Sequence, residues 1–277
     1  MPDNIIGMLF NHNEGDILEE IIVDAAKHVD SLFIADDNST DSSWDIIQSL
    51  KNCKIEYVRN TREDPRDTGQ RQSLLNEIRK RYKPENTWVQ VIDADVRILD
   101  TNIREAIKDF SIDDVSMAWR MLNAVRFPGT WKKADTYPNW DGSIFDIMPY
   151  GHILEDSLYT FRPLSKLEYN LDKWRPWPQG FSNYTNKQIL KISKKPGTPL
   201  LAHYGYRGPT HIYTKFSKRN KLKLEKYKSW DLSSVESIEK TVYYFNGQWN
   251  DPDQIFPMSR DGWMKWREEN DRVTENL

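Results

Sequence analysis

Short apolar runs alternate with amphipathic stretches over the first hundred residues. Residues 5–10, 32–35, 54–58 and 88–92 read as strands, and 17–27, 42–50 and 69–82 as helices, the last with Leu74, Leu75 and Ile78 on one face. Buried strands that alternate with helices predict a parallel sheet covered on both sides. Ligands of such sheets bind at the carboxyl ends of the strands, so the chemistry is sought there.

The pattern changes after residue 100. Residues 101–110 read as a capped helix and 115–121 as a strand. The stretch 127–180 is dense in Pro, Gly and Trp, with shorter apolar runs at 144–148 and 158–161. It reads as an irregular antiparallel or mixed half carrying functional loops. A strand at 200–202 leads into His203, and a helix follows from about residue 210. On that helix Tyr213, Phe216, Leu224 and Tyr227 form one stripe, and Lys215, Lys218, Arg219, Lys221, Lys223, Lys226 and Lys228 make the rest basic. The expected fold class is therefore α/β, a mostly parallel sheet flanked by helices, with an irregular mixed second half and a C-terminal helical segment. The expected division is one domain over 1–208, in halves 1–100 and 101–208, and an extension over 209–277.

Composition narrows the function. The 277 residues carry 39 Lys+Arg against 42 Asp+Glu, a net charge of -3, so no global basic field recruits nucleic acid. The chain is polar, with a mean hydropathy of -0.77. At 38% hydrophobic and 12% aromatic residues it still has enough large apolar side chains to fold. The single cysteine, Cys53, excludes an intramolecular disulfide framework and a Cys-based zinc site. The apolar run at 5–10 is too short for a signal segment, and no run reaches the ~18 apolar residues of a membrane span. The expected location is cytoplasmic.

Three carboxyl-rich clusters fall at strand ends: Asn11-His12-Asn13-Glu14, then Asp36 to Asp41 (DDNSTD), then Asp93-Ala94-Asp95. Like charges brought into one crevice repel, and a cation or a ligand's donors must offset that cost. A divalent metal together with a nucleotide meets both needs.

Taken in order, NHNE, DDNSTD and VIDADV, each ending a strand within the first 96 residues, resemble the nucleotide-sugar half of family 2 glycosyltransferases with the GT-A fold. DDNSTD is near that family's DDGSTD pattern, and Asp93-Ala94-Asp95 looks like its DXD motif. The resemblance implies a metal-dependent transferase that uses a nucleoside-diphosphate sugar, UDP favoured. Asp37 would accept a hydrogen bond from the base, with Asn13 and Glu14 nearby. Asp93 and Ala94 would face the ribose, and Asp95 would bind Mn2+ or Mg2+. Arg71, opening the helix before the DXD strand, and Arg207 would approach the donor, and His203 resembles a histidine that completes the metal shell. Glu155-Asp156 resembles the family's ED motif, with Asp156 the first candidate for catalytic base and Asp141 the reserve. The implied acceptor is a glycan or a lipid-linked sugar. Trp131, Trp140, Trp174 and Trp177 could stack on it, and the basic stretch 215–228 could rest on an anionic membrane or be a solvated face.

Two other enzyme classes share parts of this pattern. Asp93-Ala94-Asp95-Val96 also fits the nucleophile motif of HAD-like phosphohydrolases, but three strands precede it and DDNSTD is left without a role. A nucleotidyltransferase would open with a Gly-rich basic loop, whereas Asn11 to Gly15 is acidic and amide-rich. A non-catalytic sugar-binding module has no use for a metal-binding DXD.

Overall fold

The computed structural model describes residues 4–50, 52–60, 67–99, 101–108, 110–111, 113–125, 143, 145, 150–169, 177–183, 189–190, 199–205, 256–257, 261–262 and 265. Side chains are described for most of these, though not for 150–157. The elements are β1 (Asn4–Asn11), α1 (Leu18–His28), β2 (Ser31–Asp36), α2 (Ser43–Ser49), β3 (Ile55–Asn60), α3 (Asp67–Arg81), β4 (Thr87–Asp93), β5 (Val96–Leu99), α4 (Ile103–Ile107), β6 (Ser116–Val125), β7 (Tyr150–Phe161), β8 (Ile189–Leu190), β9 (Leu200–His203) and β10 (Phe256–Pro257). Among the described residues these strands form one sheet in the order β3-β2-β1-β4-β7-β6-β9-β5, with β8 on β6 and β10 on β7.

The chain divides into two compact units, 1–121 with 155–201, and 122–154 with 202–277. In the first, β3, β2, β1 and β4 are parallel. Ile5, Ile6 and Leu9 of β1, Phe33 and Ile34 of β2, and Trp88, Val89 and Val91 of β4 are fully buried. That is why these strands read as apolar runs without alternation: both faces are covered. Gln90 breaks the run in β4 and is also fully buried. Its amide oxygen accepts from the Thr160 hydroxyl at 2.5 Å, and Thr160 accepts from the Trp119 indole at 2.6 Å. A buried polar group is tolerated only when so partnered.

The crossovers decide where a ligand can sit. Connections β1-α1-β2 and β2-α2-β3 step one way along the sheet, whereas β3-α3-β4 steps back past β1. With right-handed crossovers, α1 and α2 cover one face and α3 the other. The order therefore reverses between β1 and β4, and the crevice opens at the carboxyl ends of those two strands. This is an open α/β sheet flanked by helices, as the sequence pattern implies. Beyond β4 the sheet turns mixed: β7 is antiparallel to β4, with Val89 opposite Phe161 and Gln90 opposite Thr160.

Three expectations shift. β5 directly follows the Asp93-Ala94-Asp95 turn and was not legible as a strand, because four residues are too few to establish a period. The capped helix is shorter than 101–110: Asn102 is the cap, its side chain accepting from the Glu105 amide at 3.3 Å. β7 extends the run at 158–161 back to Tyr150. No helix among the described residues is long and apolar enough to cross a membrane.

Candidate active site

The loops after β1 and β2 are laced into one unit by short polar side chains. Asp36 is fully buried, and its carboxylate accepts from the Asn11 amide at 2.6 Å, the Ser39 hydroxyl at 2.6 Å and the Ser39 backbone amide at 3.0 Å. The Asn13 backbone amide donates to the Ser39 hydroxyl at 2.9 Å, and the Asn13 side-chain oxygen accepts from the Thr40 amide at 2.7 Å. Asp41 accepts from the amides of Gly15 at 2.9 Å and Ser43 at 3.0 Å, so it is Asp41 that caps the start of α2. Gly15 is required here, since a Cβ would stand 2.6 Å from the Ser42 hydroxyl and 3.0 Å from the Ser43 amide.

Both loops turn through left-handed residues, Asn13 at φ 55° and Asn38 at φ 48°. Asn38 occupies the position where the DDGSTD pattern has glycine, and asparagine is one of the few other residues that adopt this backbone readily. Asn38→Gly should leave stability within about 0.5 kcal/mol, whereas Asn38→Val should lose about 1–2 kcal/mol, the cost of a β-branched side chain in that region. Urea denaturation measures both, and equal stability of the two variants would contradict the turn.

Asp36 and Asp41 hold the loop and the start of α2, and Asp37 follows Asp36 directly. Its amide donates to the Asn11 carbonyl at 2.9 Å, continuing the β1–β2 pairing by one residue. Asp37 therefore faces the opposite way from Asp36, at 5% exposure. Its carboxylate accepts from the Gln70 amide at 3.4 Å. The His12 ring donates through Nδ1 to the Asp37 carbonyl at 3.0 Å and stands 3.9 Å from the carboxylate.

At the end of β4 the Ala94 amide donates to the Phe10 carbonyl at 3.1 Å, which fixes the turn against β1. Asp95 is 6% exposed. Asp93 forms an ion pair with Arg71 of α3, and the Arg71 guanidinium lies over the Phe10 ring, 5.2 Å from its centroid. Arg71 is 1% exposed, so a cation is built into the wall of this acidic crevice. Its charge offsets the repulsion among the carboxylates gathered there.

Asp37, Asp93, Ala94, Asp95, Arg71, Asn13 and Glu14 thus all lie at the carboxyl ends of β1, β2 and β4 or on the adjoining helix. Glu14 is 8% exposed, and its carbonyl accepts from Ile17 and Leu18 to start α1. Glu155 and Asp156 lie in β7. Because β7 is antiparallel to β4, each step back from Phe161 is a step forward along β4 toward Asp93. His203 ends β9 in the second unit, its ring packed so closely on Gly205 that a Cβ there would stand 2.3 Å from Cε1. Trp177 is half-buried. Asp141, Arg207, Trp131, Trp140, Trp174 and the basic stretch 215–228 lie outside the described residues.

Gln70 belongs to the polar start of α3 that the sequence shows, but neither its partnership with Asp37 nor the locking role of Asp36 is read from the sequence. The last had a legible signal, an Asp heading the short polar run Asp37-Asn38-Ser39, the composition of a turn held by side chains. The partnership of Arg71 with Asp93 had none, since it joins residues 22 apart in the chain.

Residues 9–157, more than half of the chain, match the model of Glycosyl transferase family 2, and the protein belongs to that family. It is a glycosyltransferase. No curated protein matches the sequence. Among solved structures, that of S. aureus TarS 1–349 is similar over 88% of this chain and 73% of its own, with 15% identity and a TM-score of 0.42. The same protein in complex with UDP matches at 14% identity, over 88% and 72% of the two chains, also with a TM-score of 0.42. Glucosyl-3-phosphoglycerate synthase from Mycobacterium tuberculosis, in complex with phosphoglyceric acid, matches over 47% of each chain at 16% identity, with a TM-score of 0.31.

Proposed function

We propose that this glycosyltransferase takes its sugar from a nucleoside-diphosphate sugar, UDP-linked by preference, and transfers it with inversion to a hydroxyl of a glycan or lipid-linked acceptor. The observation that supports the reading is the position of Asp37 at the carboxyl end of β2 and of Asp93 and Asp95 at that of β4, on either side of β1. Asp37 is an acceptor-only group, suited to the imide N–H of uracil; cytosine presents an acceptor at that position and would be repelled. Asp93 takes the ribose. Asp95 holds Mn2+ or Mg2+.

The donor set fits such an ion. Among the described residues no three His, Cys, Asp or Glu side chains stand close enough to hold a metal by themselves. Mg2+ and similar hard ions need no such cage, because one or two carboxylates suffice when substrate phosphates and water supply the rest. When bound, the ion supplies Lewis acidity toward the diphosphate. His203 is a further candidate ligand, and Arg207 a candidate phosphate partner.

Asp156, with Asp141 in reserve, receives the proton of the acceptor hydroxyl as its oxygen bonds to the anomeric carbon. The bond from that carbon to the diphosphate oxygen breaks, and the nucleoside diphosphate leaves with the electron pair. Glu155 adjoins the base. The basic stretch 215–228 would hold the enzyme against an anionic membrane that bears a lipid-linked acceptor, on the cytoplasmic side.

A thermal-shift screen of UDP-, GDP-, CDP- and dTDP-sugars, each with and without Mn2+, tests the proposal. Ligands that bind the native state raise its apparent stability by mass action. A metal-dependent shift with UDP-sugars and none with CDP-sugars is expected. No shift with any donor would contradict the reading.

A further inference from the structure

We infer that Arg71 is a positioning residue of the donor site: it acts on the nucleotide through Asp93, whose carboxylate it holds in place, and does not itself touch the phosphates. The inference rests on the assignment of the crevice to a nucleotide-sugar donor.

Three observations on neighbouring elements carry it. Phe10 and Asp93 are partners in the β1–β4 register, so ring and carboxylate stand side by side on adjacent strands. The guanidinium of Arg71 meets both at once: its central carbon lies over the Phe10 ring, 5.2 Å from the centroid, and Nη2 donates to Oδ1 of Asp93. At 1% exposure it is withdrawn from solvent. A buried cation parted from its carboxylate bears its full desolvation cost, so reaching out to a phosphate would be opposed by the loss of Asp93.

The helix that carries Arg71 is itself anchored. At its far end Arg79 donates to the carbonyls of Pro163, Leu164 and Leu167, and the Gln72 side-chain oxygen accepts from the Tyr169 amide at 2.6 Å. The residue beside Arg71, Gln70, reaches Asp37 on the other side of β1. One rigid helix thus addresses two of the carboxylates assigned to the nucleotide. Without the guanidinium, Asp93 would face the other acids of the crevice with no counter-charge and swing away from them. A lysine supplies charge but not the guanidinium group that lies over Phe10 while donating to Asp93.

A double-mutant cycle read by calorimetric titration of UDP, in the absence of metal and again with Mn2+, tests this. Arg71→Gln and Asp93→Asn should each weaken UDP about tenfold, and the double variant should be no more than about twofold weaker than Asp93→Asn alone, the non-additivity of residues that act as one unit. Arg71→Lys should not rescue binding. The losses should be the same with and without metal, which a change in global stability would not arrange. Losses that multiply in the double variant, to about a hundredfold, would show that Arg71 meets the nucleotide independently and would overturn the inference. So would full rescue by lysine. Thermal melts accompany each variant; should Arg71→Gln fail to fold, the cycle runs with Arg71→Lys, which retains the buried charge. A wild-type protein that binds no nucleotide under either condition would overturn the donor-site assignment itself, a result distinct from additive losses in a protein that binds.

Discussion

Asp95→Ala is expected to weaken the affinity for UDP in the presence of Mn2+ by at least about a hundredfold, near 2.7 kcal/mol. Metal-free affinity should stay within about twofold. Asp95 lies at 6% exposure in the turn between β4 and β5, two residues after Asp93. Its carboxylate is a hard oxygen ligand of the kind Mn2+ and Mg2+ take from proteins. On the proposed reading, removing it takes away the ion's protein anchor and spares Asp37, the proposed partner of the base. Calorimetry with and without Mn2+ reads the difference directly, and wild-type affinity in Mn2+ would sink the metal assignment.

The larger effect is expected at Asp156. Asp156→Asn should lower sugar transfer about 10²–10⁴-fold, the usual contribution of a positioned general base, with UDP affinity unchanged. The split follows from the role: a base acts only in the chemical step and leaves ground-state binding alone. The antiparallel pairing of β7 with β4 runs Glu155 and Asp156 toward the end of β4 that carries Asp93. Transfer that persists within about tenfold would move the role to Asp141. A matching loss of UDP affinity would assign Asp156 to the donor instead.

The parts legible in the sequence are those where burial imposes a pattern. β1, β2 and β4 are apolar on both faces, and their acidic termini stand out because charge follows directly on a buried run. DDNSTD was readable as a group but not residue by residue. Asp36 and Asp37 are chemically identical, and only the continuation of the β1–β2 pairing turns one into the lock on Asn11 and Ser39 and the other toward the crevice. The helix arginine was readable as a cation beside the acidic strand ends, yet its partner Asp93 and its place over Phe10 depend on strand order. β7 was read only at its last four residues, because Tyr150 to Ser157 mixes glycine, histidine and two acids without alternation. β5 gave too short a run to show a period.

Crystallographic analysis of the protein with UDP and Mn2+, with anomalous scattering recorded at the manganese edge, tests the central assignment most directly. The account predicts an anomalous peak in contact with the Asp95 carboxylate, uracil against Asp37, and Arg71 still paired with Asp93. A nucleotide bound away from the ends of β1, β2 and β4, or a manganese peak out of reach of Asp95, would contradict it.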